Sequence, residues 1–128
     1  HWTKAPWKSQ ERVRMILKKM YHTQPYGLSG NDDFGQMSAW YVFNAMGFYP
    51  VCPGSELYYF GSPSVVQASI EIENGKIFTI KTVNQSEQNI YIQKILLNGK
   101  ELKVPYIKHS EITQGGELIF FMGKKPKK

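Results

Sequence analysis

Two stretches with helical spacing of apolar residues occupy the first third of the chain. Apolar positions recur at intervals of three and four over residues 13–21, which predicts an amphipathic helix that begins near Pro6 and ends before Pro25. A second run, 34–46, is apolar around nearly its whole circumference and is followed by Gly47, a typical helix stop. Because such a helix must be buried on several sides, the pattern indicates a helix pair taken from a larger helical assembly.

The rest of the chain has the alternation and the turn residues of short β-strands. Five apolar runs are visible, at 66–72, 77–83, 90–97, 101–104 and 118–122. Asn74-Gly75 and Asn98-Gly99 separate two pairs of these runs, and Asn-Gly is a strong hairpin signal because both residues tolerate a positive φ. We therefore predict an α+β protein, in which the helix pair is followed by an antiparallel β-sandwich-like domain.

Length and charge narrow the range of functions only slightly. The 128 residues are divided here into helices at 1–54 and a β domain at 55–128, and the chain carries a net charge of +6. Four of these charges come from lysines at 124–128, which we interpret as a disordered, solvated tail. Aromatic residues do not interleave with the lysines, so we expect no nucleic-acid partner. No apolar run has the length of a membrane span.

The cysteine and the histidines give little indication of a metal site or a disulfide. The three histidines are scattered without the spacing of metal ligands, and we expect no metal site within these residues. Cys52 is the single cysteine, so no internal disulfide can form. Its neighbours Val51 and Pro53 predict a buried, inert thiol.

A glycine-rich loop at 27–35 carries the candidate site. It delivers two adjacent carboxylates, Asp32 and Asp33, to the start of the second predicted helix. Asp33 could cap that helix, with Gln36 completing a capping box. Capping needs only one acid, however, and two adjacent carboxylates repel each other. A carboxylate held ionised at this position could also take a proton from water, so the two roles, cap and general base, both stay open.

The run at 27–41, Gly-Leu-Ser-Gly-Asn-Asp-Asp-Phe-Gly-Gln-Met-Ser-Ala-Trp-Tyr, resembles the C-terminal part of family 92 glycoside hydrolases. Further agreement lies at 5–10, 47–54, 59–63 and 115–118. The resemblance implies a calcium-dependent, exo-acting, inverting α-mannosidase that acts on mannose-containing glycans. It also implies that the helix pair is the remnant of an (α/α)6 barrel, and that the protein is periplasmic, secreted or at the cell surface.

The resemblance also assigns expected roles to residues of the loop. Asp33 matches the position of the general base, while Asp32 and Asn31 flank it and would orient the base or the attacking water. Trp7, in the first turn of the first predicted helix, is a candidate for contacting the sugar, although a structural role explains it about equally well. The alternative for the whole chain is a non-catalytic β-sandwich that binds carbohydrate or packs on a neighbouring domain, with the aspartates merely capping a helix.

Several expectations follow from the length of the chain. Family members are several times longer, and the chain begins with His rather than Met, so we expect a fragment of a larger protein. On the resemblance, the general acid (a Glu) and the calcium ligands would precede residue 1, and the fragment alone would be inactive. A second helix without its neighbours would expose apolar surface, so we expect self-association that buries Trp40 and Phe43.

Overall fold

The computed structural model describes residues 4–127, apart from the side chain of Asn74. Within these residues two helices, α1 (Pro6–Lys19) and α2 (Gln36–Met46), precede eight strands and a short helix, α3 (His109–Thr113). The strands are β1 (Phe48–Tyr49), β2 (Leu57–Phe60), β3 (Gln67–Glu71), β4 (Ile77–Val83), β5 (Tyr91–Leu97), β6 (Lys100–Glu101), β7 (Tyr106–Lys108) and β8 (Gly116–Gly123). The predicted α+β class is confirmed. None of the helices described has the length and hydrophobicity needed to cross a membrane.

The strands form two sheets that share one core. The smaller sheet has the order β1-β2-β7, and the larger has the order β3-β4-β8-β5-β6. Side chains of both sheets join one hydrophobic cluster, in which Phe60 of β2 meets Phe120 of β8 edge to face, with ring centroids 5.5 Å apart. The arrangement is sandwich-like, as predicted.

Both predicted hairpins are present. Leu97 of β5 pairs with Lys100 of β6, so Asn98 and Gly99 form the two-residue turn, with φ of 50° and 79°. Strands β3 and β4 also pair antiparallel, but a 3₁₀ turn at Glu73–Gly75 lies between them.

One strand pairing corrects the purely antiparallel prediction. Strand β8 pairs antiparallel with β5 but parallel with β4, in a register that runs from Phe78 opposite Gly116 to Val83 opposite Phe121. As a result β8 lies between β4 and β5, which are consecutive in sequence but not paired with each other. Turn signals report pairing between neighbours in sequence, and a strand that inserts between them from farther along the chain leaves no such signal.

The helix pair packs directly on the sheets. The side-chain oxygen of Gln10 accepts a hydrogen bond from the backbone N–H of Ile92 at 3.0 Å, which ties α1 to β5. Phe43 and Met46 of α2 pack against the same hydrophobic cluster that joins the sheets. The predicted boundary at residue 54 therefore crosses a continuous core, and the division into two domains stays a prediction.

The apolar surface of α2 is only partly covered. Trp40 stacks on Tyr21, with ring centroids 5.7 Å apart, and Phe43 contacts Phe48 and Tyr58. On the opposite face Tyr41 and Val42 are exposed by 40% and 52%. Trp40 and Phe43, the residues expected to be buried by self-association, are thus partly covered within the chain. Tyr41 and Val42 provide the exposed apolar surface, and self-association itself stays a prediction.

Cys52 is exposed, which contradicts the prediction of a buried thiol. It lies between β1 and β2 in a turn, residues 51–54, that is exposed throughout. Apolar neighbours were a poor guide because this turn projects from the hydrophobic cluster instead of packing on it.

Residues 124–127 of the basic tail lie beside strand β5. The side-chain amide of Gln93 donates to the carbonyl oxygen of Lys125 at 2.8 Å, and Nζ of Lys127 donates to the carbonyl oxygen of Gln93 at 2.9 Å. These residues therefore lie against the sheet instead of extending freely as a disordered tail would. Lys128 lies outside the described residues.

Candidate functional site

The glycine-rich loop at 27–35, called the acidic loop from here on, is held next to the end of α1 by a narrow turn. Tyr21 and Leu28 form an isolated antiparallel bridge across it, and the N–H of His22 donates to the carbonyl oxygen of Gly27 at 3.1 Å. A Cβ at Gly27 would lie 1.9 Å from the carbonyl oxygen of His22, so only glycine fits at this point. The turn thereby determines where the aspartates that follow it are placed.

Asp32 anchors the beginning of α2. Its carboxylate accepts hydrogen bonds from the backbone N–H of Ser38 at 2.9 Å and from the Ser38 hydroxyl at 2.8 Å. Its carbonyl oxygen accepts from the N–H groups of Gln36 and Met37, at 2.9 and 3.3 Å. One residue thus satisfies the first three N–H groups of the helix, which lack partners within it. The bonds from the Ser38 backbone and hydroxyl lower the pKa of Asp32 and so keep it ionised.

Asp33 does not cap the helix, which corrects the predicted capping box. The N-cap residue is Gly35, and α2 begins at Gln36. The Asp33 side chain is exposed and makes no hydrogen bond or ion pair with any other residue in the part of the chain that the structure describes. The carbonyl oxygen of Asp33 accepts from the N–H of Gln36 at 3.3 Å, but its carboxylate takes no part in the cap, so capping does not explain the Asp33 side chain.

Asp33 is presented by an unusual backbone. Asp33 and Phe34 have φ of 47° and 61°, and Gly35 continues the left-handed run with φ of 83°. This conformation costs a non-glycine residue roughly 1–2 kcal/mol of conformational free energy. Phe34 is fully exposed, so no packing of its side chain within the described chain offsets that cost. Strain of this kind is typical of functional sites. The loop is therefore shaped to project Asp33 outward, beyond what a helix cap requires.

Two residues that support the loop, Tyr21 and Ser38, were not predicted from the sequence to do so. The Tyr21 hydroxyl donates to the carbonyl oxygen of Met37 at 3.2 Å. Burial, and next the charge of Asp32, raise the pKa of Tyr21, so the hydroxyl keeps its proton and remains a donor. Ser38 is the second, and a lone serine in the first turn of an otherwise apolar helix is the signal that could have identified it.

The structure does not bring Trp7 to the aspartates. Trp7 lies in the first turn of α1, whereas the loop lies at the other end, where the Ser29 hydroxyl donates to the carbonyl oxygen of Met20 at 3.4 Å. At about 1.5 Å per residue, Trp7 and Met20 are about 20 Å apart along the helix. Any sugar contact by Trp7 would thus belong to a different subsite from one made by Asp33. The substrate-binding roles of Trp7 and of Asn31, which is exposed in the loop, stay predictions.

The described residues do not fit a calcium site. Among residues 4–127, no three His, Cys, Asp or Glu side chains come together as metal ligands. Calcium takes about six to eight oxygen ligands, and both carboxylate oxygens of Asp32 already bind Ser38. No step of a reaction through calcium can therefore be assigned to these residues.

Replacing Ser38 with alanine is expected to raise the pKa of Asp32. The variant loses the hydroxyl bond and keeps the backbone bond. A carboxyl with a lowered pKa stabilises the fold above the ordinary carboxyl pKa of about 4, and this contribution is lost as pH falls through the lowered value. Acid unfolding followed by circular dichroism should therefore occur at higher pH in Ser38→Ala. The control Ser69→Ala, at an exposed position of β3, should leave the transition in place. Identical transitions for both variants would contradict this role of Ser38.

Comparison with known sequences shows which protein family the chain resembles. A family model described as the glycosyl hydrolase family 92 catalytic domain matches residues 1–124. An uncharacterised secreted glycosidase of Arthroderma benhamiae is 34% identical, in an alignment that covers 98% of this chain and 16% of the relative.

Solved structures agree with the sequence match. A family 92 α-mannosidase from Bacteroides thetaiotaomicron, in complex with mannoimidazole, superimposes with a TM-score of 0.91 at 43% identity, over 95% of this chain and 16% of that one. A family 92 inverting mannosidase from the same organism gives a TM-score of 0.88 at 43% identity, over 95% of this chain and 17% of that one. The chain thus spans about one sixth of the length of the relatives that it matches.

Proposed function

Because this chain belongs to glycosyl hydrolase family 92, we propose that it is part of an exo-acting, inverting α-mannosidase and that Asp33 is the general base. We call the longer protein the parent enzyme. The observation that carries the proposal is the division of roles in the loop. Asp32 caps α2, and the side chain of Asp33 is left exposed, without a partner among residues 4–127, on a left-handed backbone.

The proposed reaction assigns one proton transfer to this chain. Asp33 takes a proton from a water molecule as the water oxygen forms its bond to the anomeric carbon, and the bond to the leaving oxygen breaks on the opposite face. A separate carboxylic acid protonates that leaving oxygen. In inverting enzymes the two carboxyl groups are about 6.5–9.5 Å apart, to leave room for the water. Asp32 cannot be the acid, because it is ionised and its oxygens bind Ser38.

The remaining components would come from other parts of the parent enzyme. We propose that the general acid and the calcium ligands lie outside this chain; in support, no three His, Cys, Asp or Glu side chains come together as metal ligands among residues 4–127, and Asp32 is held ionised. Residues 1–128 alone would then be inactive. Mannose-containing glycans are the proposed substrates, and a periplasmic or extracellular location is proposed on the strength of the secreted fungal relative.

The test is the stereochemistry of hydrolysis by the parent enzyme. Proton NMR during cleavage of an α-linked mannobiose should show β-mannose as the first product, followed by slow mutarotation. Initial formation of α-mannose would exclude an inverting reaction with Asp33 as base. The same assay with a calcium chelator, followed by added calcium, tests the proposed metal.

A further inference from the structure

A feature distant from the acidic loop is a buried guanidinium nitrogen that lacks a hydrogen-bond acceptor. Arg14 of α1 donates from Nη2 to the carbonyl oxygen of Ser86 at 2.8 Å. Its Nε is buried and has no partner in the part of the chain that the structure describes. Burial lowers the pKa of Arg14, and the charge of Glu87 partly opposes this effect. A buried donor without an acceptor is costly and rare in native proteins, so an acceptor is expected from elsewhere.

Arg14 lies at a cleft that could admit such an acceptor. The cleft has a volume of about 290 Å³, and its walls include Lys18, Tyr41 and Ile90. Lys18 forms an ion pair with Glu87 at 3.2 Å, and both side chains are largely exposed. The cleft therefore combines a half-buried guanidinium and the Lys18–Glu87 ion pair with an apolar wall from Tyr41 and Ile90.

The charge of α1 favours an acidic occupant. The helix has five basic residues and one acidic residue, Glu11. Among residues 4–127 the ion pair of Lys18 with Glu87 is the only one that the helix makes. Glu11 accepts a hydrogen bond from the Tyr91 hydroxyl at 2.6 Å and does not neutralise the arginines. The cleft itself is lined by two of these basic residues, Arg14 and Lys18, and by one acidic residue, Glu87, which leaves one net positive charge.

We propose that a carboxylate side chain from a segment of the parent enzyme outside residues 1–128 docks in this cleft against Arg14. The inference rests on the proposed function only in requiring that the parent enzyme exists. The Nε and an adjacent Nη of a guanidinium form a planar fork that matches the two oxygens of a carboxylate. Tyr41 and Val42, exposed beside the cleft, supply apolar surface for the rest of the segment. About five sixths of the length of the relatives lies outside the matched region and can provide it.

Carbodiimide coupling in the full-length parent enzyme tests the contact directly. Arg14→Lys replaces the guanidinium with an amine. A carbodiimide joins an amine to a carboxylate in direct contact as an amide, while the carbodiimide takes up the oxygen and becomes a urea. Mass spectrometry of the digested enzyme should then show position 14 linked to an Asp or Glu outside residues 1–128. Arg12→Lys, at an exposed position of the same helix, is the control and should give no such link. A link only to Glu87, or none, would overturn the proposal.

Thermal unfolding of the parent enzyme provides a second measurement. We expect Arg14→Gln to lower Tm at neutral pH, because it removes the charged partner of the docked carboxylate. A carboxylate beside Arg14 has a lowered pKa, so its contribution is present above pH about 4 and fades as pH falls further. Because Glu87 also acts on Arg14, the comparison is made with Glu87→Gln in both proteins. The Tm difference should still narrow in acid, whereas a constant difference would overturn the proposal. Neither measurement depends on hydrolysis, so failure here leaves the role of Asp33 intact, and failure of that role leaves this contact intact.

Discussion

The Asp33→Asn variant of the parent enzyme is expected to hydrolyse α-mannosides about 100- to 10,000-fold more slowly than the wild type, the usual range for loss of a general base. An amide cannot accept the proton of the attacking water, but it has nearly the same shape as the carboxylate. The side chain is exposed and has no partner among residues 4–127, so its replacement should leave Tm unchanged. Steady-state kinetics should show the loss in kcat with little change in KM.

Two comparison variants make this result specific. Asp32→Asn disturbs the bonds to Ser38 and should lower both activity and Tm, because it acts through the shape of the loop. Glu71→Gln removes an exposed carboxylate on β3 and should change neither. Azide needs no base, so it should restore turnover of Asp33→Asn on an activated mannoside and yield a β-mannosyl azide. A loss of activity smaller than about 100-fold would argue against Asp33 as the base.

The largest expected loss of stability follows from Phe120→Ala. Phe120 is fully buried in β8, packs on Phe60 of the other sheet and lies against the end of α2, where a Cβ added at Gly47 would be 3.2 Å from its ring. Removing it takes away the contacts of β8 with both β2 and the end of α2. Replacement of a buried phenylalanine by alanine costs about 3–5 kcal/mol, a large share of the roughly 5–15 kcal/mol that stabilises a typical domain. Urea unfolding monitored by tryptophan fluorescence measures the free energy of unfolding.

The neighbouring residue provides a matched control. Phe121 lies on the other face of the same strand and is partly exposed, with Nζ of Lys94 5.8 Å from its ring centroid. Phe121→Ala should cost about 1 kcal/mol, the average for a point mutation. Equal losses for the two variants would show that the core does not lie on the Phe120 face.

Elements with local signals could be predicted from the sequence. Proline at the start of α1, glycine after α2 and the Asn98-Gly99 turn each act within a few residues, and each prediction is confirmed. Strands β1, β2 and β7, which make up the whole smaller sheet, were not predicted. They are short and pair only with one another, as where Tyr58 lies opposite Ile107, almost 50 residues away in the chain. Pairing over such distances has no periodicity that a local pattern can reveal.

The acidic loop lies at the start of α2 as predicted, but which of its two aspartates caps that helix was not predicted. Asp32 and Asp33 are the same residue type at adjacent positions, so the sequence does not distinguish their roles. The capping-box pattern assigns the cap to Asp33, which is nearer the helix. Three successive left-handed residues shift the helix start to Gln36, so Asp32 reaches Ser38 and Asp33 turns away. Left-handed conformations at non-glycine positions are rare, and sequence patterns do not anticipate them.

The position of β8 also governs the order in which the sheet can assemble during synthesis. Strands β4 and β5 have no edge in common, and β8 supplies the partner for each of them. While the ribosome has translated only as far as Gly115, the two halves of this sheet have no strand between them to join their ladders. Closure of the sheet must wait until residues 116–123 have left the exit tunnel, and in the interval both inner edges are open to incorrect pairing.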